Sequence, residues 1–158
     1  MKTLVVYYSY EGNCRFIAGQ LKAALDADVL ELETADTRKR QGLAKYLWGG
    51  SQVFSHAEPE LKPFSVDINA YDLVILGCPV WAGSPAPALC SFISKAAIRD
   101  RRVALFLCHG GGKGDVFGKL RKRLPGNTFA GEIDFRSPLR GDREAAAAAV
   151  RDWAKTLA

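Results

Sequence analysis

The chain has 158 residues, 48% hydrophobic and 25% charged, with a formal net charge of +5. That is length for one domain, residues 1–158, and far too apolar for a disordered chain. The longest apolar runs, such as VALFLC from Val103 to Cys108, fall well short of the roughly 20 residues that span a bilayer. The apolar segment after Met1 and Lys2 stops at Tyr8, too short for a secretory signal. A cytoplasmic protein without membrane insertion is expected.

The first predicted element is TLVVYYS (Thr3 to Ser9), apolar on both faces like a buried parallel strand. The polar stretch SYEGNC separates it from a helix, CRFIAGQLKAAL, with Phe16, Ile17, Leu21 and Leu25 at helical spacing. DVLELE (Asp28 to Glu33) is the second strand and DLVILG (Asp72 to Gly77) the third. Between them lies an insertion at about 34–70, longer than one crossover helix requires. It contains a predicted helix, with Leu43, Ala44 and Leu47 as its apolar positions, that ends at Gly49-Gly50. The loop GCPVWAGSPAPA (Gly77 to Ala88) leads into the helix PALCSFISKAAI. The fourth strand is RVALFLC (Arg102 to Cys108), followed by the loop CHGGGKGD and the helix DVFGKLRKRL, which Pro125-Gly126 ends. TFAGEIDF (Thr128 to Phe135) alternates like an edge strand, with Gly131 interrupting it, and an alanine-rich helix capped by Asp142 closes the chain.

Strands alternating with helices predict a parallel sheet covered on both faces. Right-handed crossovers bring every strand-to-helix loop to one edge, at the strands' carboxyl ends, where ligands of such sheets bind. Three loops meet there. SYEGNC offers the Ser9 hydroxyl, the close approach of Gly12 and a helix N-terminus, a combination suited to phosphate; the competing reading is a helix cap by Asn13. The second loop carries Trp81, either to stack on a planar ligand or to seal the loop against a helix. The third, CHGGGKGD, lets backbone amides approach a ligand with Lys113 nearby, yet fits neither G-x-x-x-x-G-K-[ST] nor G-x-G-x-x-G.

Together YYSYEGNCRFIA, LGCPVWAGSPAPAL and CHGGGKGD resemble the flavodoxin family along nearly the whole chain. The resemblance implies a three-layer doubly wound α/β domain with a five-stranded parallel sheet in the order 2-1-3-4-5, and FMN as cofactor. It implies that Ser9, Tyr10, Glu11, Gly12, Asn13 and Cys14 surround the FMN phosphate, carried mainly by backbone amides. It also places Pro79, Val80, Trp81, Ala82 and Gly83 against the ring, the Ala82–Gly83 peptide facing N5, and His109, Gly110, Gly111 and Gly112 in the second flavin loop. The family usually has threonine where this chain has Glu11 and Cys14, and an aromatic cover that CHGGGKGD lacks. His109, or Tyr46 and Trp48 of the insertion, are the candidates to replace that cover.

Other chemistries are tested by the same residues. Cys14, Cys78, Cys90 and Cys108 lack a C-x-x-C pair, and with His56 and His109 they offer no zinc ligand set, so they read as reduced thiols. None has an arginine six positions on, which removes the low-molecular-weight phosphatase reading, and Gly77-Cys78 occupies the place of a receiver domain's aspartate. The basic clusters at Arg38 to Arg40, Arg99 to Arg102 and Lys119 to Arg123 lack a stacking platform, the last two being assigned to the opposite edge, so nucleic acid is not an expected partner. Arg38, Lys39, Arg40, Lys113, Arg136, Arg140 and Arg143 are assigned to a positive rim at the loop edge. Such a rim suits an acidic redox partner protein or NAD(P)H. The small single domain favours an electron carrier over an NAD(P)H-dependent reductase, and oligomeric state is not legible.

Overall fold

The computed structural model describes residues 1–36, 42–54 and 57–158, with Gly42, Tyr46 and Phe54 given by their helical placement alone. Arg38, Lys39, Arg40, His56 and the side chain of Tyr46 therefore lie outside the described residues.

The apolar runs become the strands. β1 (Thr3–Tyr8) is buried at every position, β3 (Leu73–Trp81) from Leu73 to Cys78, and β5 (Arg102–His109) from Val103 to Cys108. Uniform burial needs cover on both faces, and the sheet has it. β2 (Asp28–Leu32) and β6 (Thr128–Arg136) lie outside these three, giving the parallel order β2-β1-β3-β5-β6. This is the predicted order of the five main strands; β4 (Ser84–Pro85), a short antiparallel addition to β3, is the difference.

Side chains alternate between faces along each strand. Leu4, Val6 and Tyr8 pack with Phe92 of α3 (Pro87–Ala96) and Leu120 of α4 (Val116–Arg123). Val5 and Tyr7 pack with Ile17 and Leu21 of α1 (Asn13–Leu25) and with Val150 of α5 (Arg143–Leu157). Fully buried Phe92 and Phe106 contribute roughly 1.5–3 kcal/mol each through removal from water. At the start of α5, Asp142 Oδ1 accepts from the Ala145 N–H at 2.9 Å, as the sequence predicts.

Three elements differ from expectation. The third strand does not stop at Gly77: it continues through Pro79 to Trp81 and folds back at Ala82–Gly83 into β4. Ala82 and Gly83 have φ of 48° and 66°, so two consecutive left-handed residues make the tight turn that matches strand twist. Pro79 keeps its place because its carbonyl accepts from the Ala86 N–H at 3.2 Å. In the insertion, α2 (Gly42–Phe54) runs through Gly49-Gly50 instead of ending there. A Cβ at Gly49 would sit 3.6 Å from the Trp81 ring, so this glycine marks where helix and tryptophan meet. Leu43, Ala44 and Leu47 face solvent, with Leu43 and Leu47 at 74% and 65% exposure, so the side of α2 that turns inward carries Trp48 and Gly49. In β6 a bulge opposite Val103 and Ala104 explains the interruption: a Cβ on Gly131 would lie 3.0 Å from Trp153 Nε1. No described helix is long and apolar enough to cross a membrane.

Candidate functional site

The carboxyl ends of β1, β3 and β5 border a cleft of about 420 Å³. Its first border is the β1–α1 loop. Gly12 has φ 98°, and a Cβ there would meet Leu139 at 3.3 Å, so the position calls for glycine. Gly12 stands at the helix cap without a side-chain bond, which leaves the first turn of α1 with N–H groups and the positive dipole end at the cleft. Asn13 is not the cap: its Oδ1 accepts from the Leu139 N–H at 3.1 Å, fastening the β6–α5 turn to this loop. Ser9 Oγ accepts from the Arg15 N–H at 3.2 Å and braces the turn from inside.

The two residues that depart from the family pattern are accommodated differently. The Glu11 carboxylate is ion-paired with Lys45 of α2, which offsets its repulsion of an anion. The Cys14 side chain is buried, and burial, followed by its hydrogen bond with Cys108, pushes the thiol well above its usual range. Cys14 therefore stays neutral and leaves the anion to backbone amides. All four cysteines are free and buried, as reduced thiols should be.

One wall of the cleft is aromatic. Trp81 meets Tyr8, Tyr10 and Trp48 edge to face, with centroids 5.8, 5.7 and 5.3 Å apart, and Tyr10 lies 5.9 Å from Trp48. Such rings hold one another by about 0.5–1.5 kcal/mol per pair beyond their burial. Trp81 thus packs against a helix and lines the cleft as well. Behind it, Lys119 Nζ donates to the Gly83 carbonyl at 2.7 Å and to Ser84 Oγ at 3.0 Å, pinning the hairpin turn. Lys119 therefore belongs to the loop edge, a correction to its assignment to the opposite edge.

The other wall is polar. His109 Nε2 lies 2.8 Å from one oxygen of Asp134, and Lys113 donates to the other at 2.6 Å. Partial burial pushes Asp134 up, but the hydrogen bonds of Lys113 and His109 outweigh it and its carboxyl sits below the usual aspartate range. Facing a carboxylate, which only accepts, the His109 Nε2 is the donor of this bond. The His109 side chain is 10% exposed, and its buried Nδ1 has no protein partner. An unmade bond of that kind costs about 1–3 kcal/mol.

Of the predicted site residues, Ser9, Tyr10, Glu11, Asn13, Cys14, Pro79, Val80, Trp81, Ala82, His109 and Gly110 line the cleft. Gly12 and Gly83 shape the backbone beside it, and Gly111 and Gly112 are exposed on the third loop without lining it. Sequence reasoning left out Lys45, Gly49, Gly50 and Ser137, which the fold brings in from α2 and the β6–α5 turn. The inward periodicity of α2, starting from Trp48 instead of Leu47, was the available signal for the first three; Ser137 carried none. Among the described residues no group of histidine, cysteine and carboxylate side chains is arranged to hold a metal.

An anion-ready helix start and an aromatic wall carrying Trp81, on the carboxyl edge of a doubly wound sheet, fit FMN and define a flavodoxin-like flavoprotein. The model of the NADPH-dependent FMN reductase family matches residues 1–122, and the chain belongs to that family of FMN-binding proteins. No curated protein sequence matches it. Among solved structures, a flavoprotein from Lactobacillus acidophilus NCFM in complex with FMN is 23% identical with a TM-score of 0.75, covering 88% of this chain and 96% of that one. A flavoprotein from Bacteroides eggerthii DSM 20697, described there as putative, is 22% identical with a TM-score of 0.79, covering 99% and 97%. The two-electron reduced flavodoxin of Megasphaera elsdenii is 22% identical with a TM-score of 0.56, covering 97% and 98%. These likenesses establish the fold.

Proposed function

We propose that the protein is an NAD(P)H-dependent FMN oxidoreductase, with the FMN phosphate at Ser9 to Cys14 and the isoalloxazine ring against Trp81. Bound FMN supplies the electron chemistry, and the chain positions it and controls access. The observation that carries this reading is the contrast between the walls. Tyr10 and Trp81, in contact with Trp48, line one side, whereas past His109 the third loop continues as Gly110 and the exposed Gly111 and Gly112, which carry no side chain. A hydride donor needs near contact with the ring, about 3–3.5 Å, and a glycine border permits it. Membership of the NADPH-dependent family supports the choice of donor.

A second reading, an electron carrier served by a partner protein, is favoured by α2, which brings Lys45, Gly49 and Gly50 to the border of the cleft. Mixing the FMN-loaded protein anaerobically with NADPH or NADH separates the two. Rapid bleaching of the flavin absorption is expected; reduction by dithionite alone would favour the carrier. Nucleic acid has no place in either reading. Arg99 and Arg102 donate to the Pro125 and Leu157 carbonyls at 3.4 and 3.2 Å, and Arg121 and Arg123 pair with Glu132 and Glu58. These four arginines have partners within the fold, which supports a reading without nucleic acid.

A further inference from the structure

We infer that the β6–α5 turn is a second phosphate clamp, in which the Arg140 guanidinium and the Ser137 hydroxyl bind the phosphomonoester of FMN opposite the β1–α1 loop. The inference rests on the FMN reading above and adds to it residues beyond the stretch, 1–122, that the family model matches.

Ser137 and Arg140 both line the cleft that Ser9, Asn13 and Cys14 border. The turn is tied to the phosphate loop by the Leu139 N–H on Asn13 Oδ1 at 3.1 Å and by Leu139 packing over Gly12. It is tied to the third loop by the Ser137 N–H on the His109 carbonyl at 2.9 Å, and the Ser137 hydroxyl donates to the same carbonyl over 3.5 Å, a long bond that it exchanges for a phosphate oxygen in the clamp. Arg140 is thus fixed at the junction of the two loops and not on a free excursion. The turn is also strained: Ser137 has φ 42°, a left-handed conformation that costs a non-glycine residue about 1–2 kcal/mol. Its carbonyl accepts from the N–H groups of Arg140 and Gly141 at 2.9 and 3.1 Å, which holds the strain in place. Strain maintained beside a cleft is typical of binding sites.

Charge accounting selects Arg140 over its neighbours. Lys45 is engaged with Glu11, and Lys113 with Asp134. Arg136 and Arg143, whose Nε groups donate to the Gly110 and Leu139 carbonyls, do not line the cleft. Among the described residues the Arg140 side chain is exposed and has no hydrogen-bond or ion-pair partner, so its positive charge is uncompensated at the phosphate end of the cleft. A guanidinium can meet phosphate oxygens in pairs, which a loop carrying Glu11 and a neutral Cys14 cannot do by side chain.

The experiment titrates the full-length apoprotein and its Arg140→Ala and Arg140→Lys variants with FMN and with riboflavin, which lacks the phosphate. The clamp predicts that Arg140→Ala weakens FMN about 10- to 100-fold and leaves riboflavin unchanged, with Arg140→Lys intermediate. Unchanged riboflavin affinity also reports an intact fold. A variant that keeps the full FMN preference of the parent overturns the clamp while leaving the FMN reading standing. Equal weakening of both flavins overturns it too, as does a variant that binds FMN normally and loses only its preference for NADPH over NADH. If the parent protein itself fails to prefer FMN over riboflavin, the reading on which the clamp rests falls with it.

Discussion

The aromatic and polar walls of the cleft are built by different means. Tyr8, Tyr10 and Trp81 belong to segments that the strands themselves extend to the edge, and one inserted helix adds Trp48. Contacts among them are non-directional and survive small displacements. The polar wall draws His109, Lys113, Asp134, Ser137 and Arg140 from the ends of β5 and β6 and the loops that follow, fixed by hydrogen bonds of 2.6 to 2.9 Å. One wall gives the site its aromatic surface and the other its charge. A site of this kind can lose affinity for the ring or for the phosphate independently.

The largest effect should come from the floor beneath both walls. Gly77 in β3 faces Phe106, and a Cβ there would lie 2.0 Å from that fully buried ring. Gly77→Ala should cost about 3 kcal/mol of unfolding free energy by overpacking, and should weaken FMN and riboflavin together. Chemical denaturation with a parallel flavin titration measures both. Stability within experimental error of the parent would show that Phe106 moves aside and that the floor is softer than its packing implies.

Trp81→Ala breaks the aromatic wall alone. FMN and riboflavin should each lose about 1–3 kcal/mol of binding, their ratio unchanged, because on the proposed placement the indole meets the ring common to both. Isothermal titration reads the two affinities; a loss of thermal stability with both affinities intact would assign Trp81 to packing only.

Asp134→Asn tests the polar wall through pH. The folded Asp134 carboxyl is depressed, so its contacts with Lys113 and His109 add stability that is present above the unfolded pKa of about 3.9 and is lost as pH falls through the folded value. Thermal melts should show the parent more stable than the variant at pH 6 and the gap closing in acid below about pH 4. A constant gap across that range would remove Asp134 from the balance. The smallest change is expected at Gly49→Ala: the new Cβ makes ordinary contact with Trp81 at 3.6 Å, and helix propensity should add roughly 0.5–1 kcal/mol. Destabilisation there would mean that α2 and Trp81 already touch too closely for a methyl group.

The two walls were also unequally legible in the sequence. Parallel strands buried on both faces are apolar throughout, so β1, β3 and β5 announced themselves, while the strand order came from the resemblance to the flavodoxin family. Residues adjoining strand ends, Ser9 to Cys14 and Pro79 to Ala82, could be placed at the cleft because the chain itself delivers them. The proline- and glycine-rich GCPVWAGSPAPA concealed a strand and hairpin, since Pro79 is satisfied by its carbonyl alone and Gly83 serves the turn. Gly49-Gly50 suggested a helix end, where burial against Trp81 keeps the helix going. Ser137 and the bond from Leu139 to Asn13, 126 positions away, depend on tertiary closure that no local pattern encodes.

The central claim is that an anion site and an aromatic wall share one cleft built for FMN. Titrating the apoprotein with FMN and riboflavin while following tryptophan fluorescence tests it most directly. On the proposed placement both flavins should quench the emission, the ring being set against Trp81 in either case, and FMN should bind much more tightly, since riboflavin has no phosphate to engage the start of α1. Equal affinities for the two flavins would contradict the account.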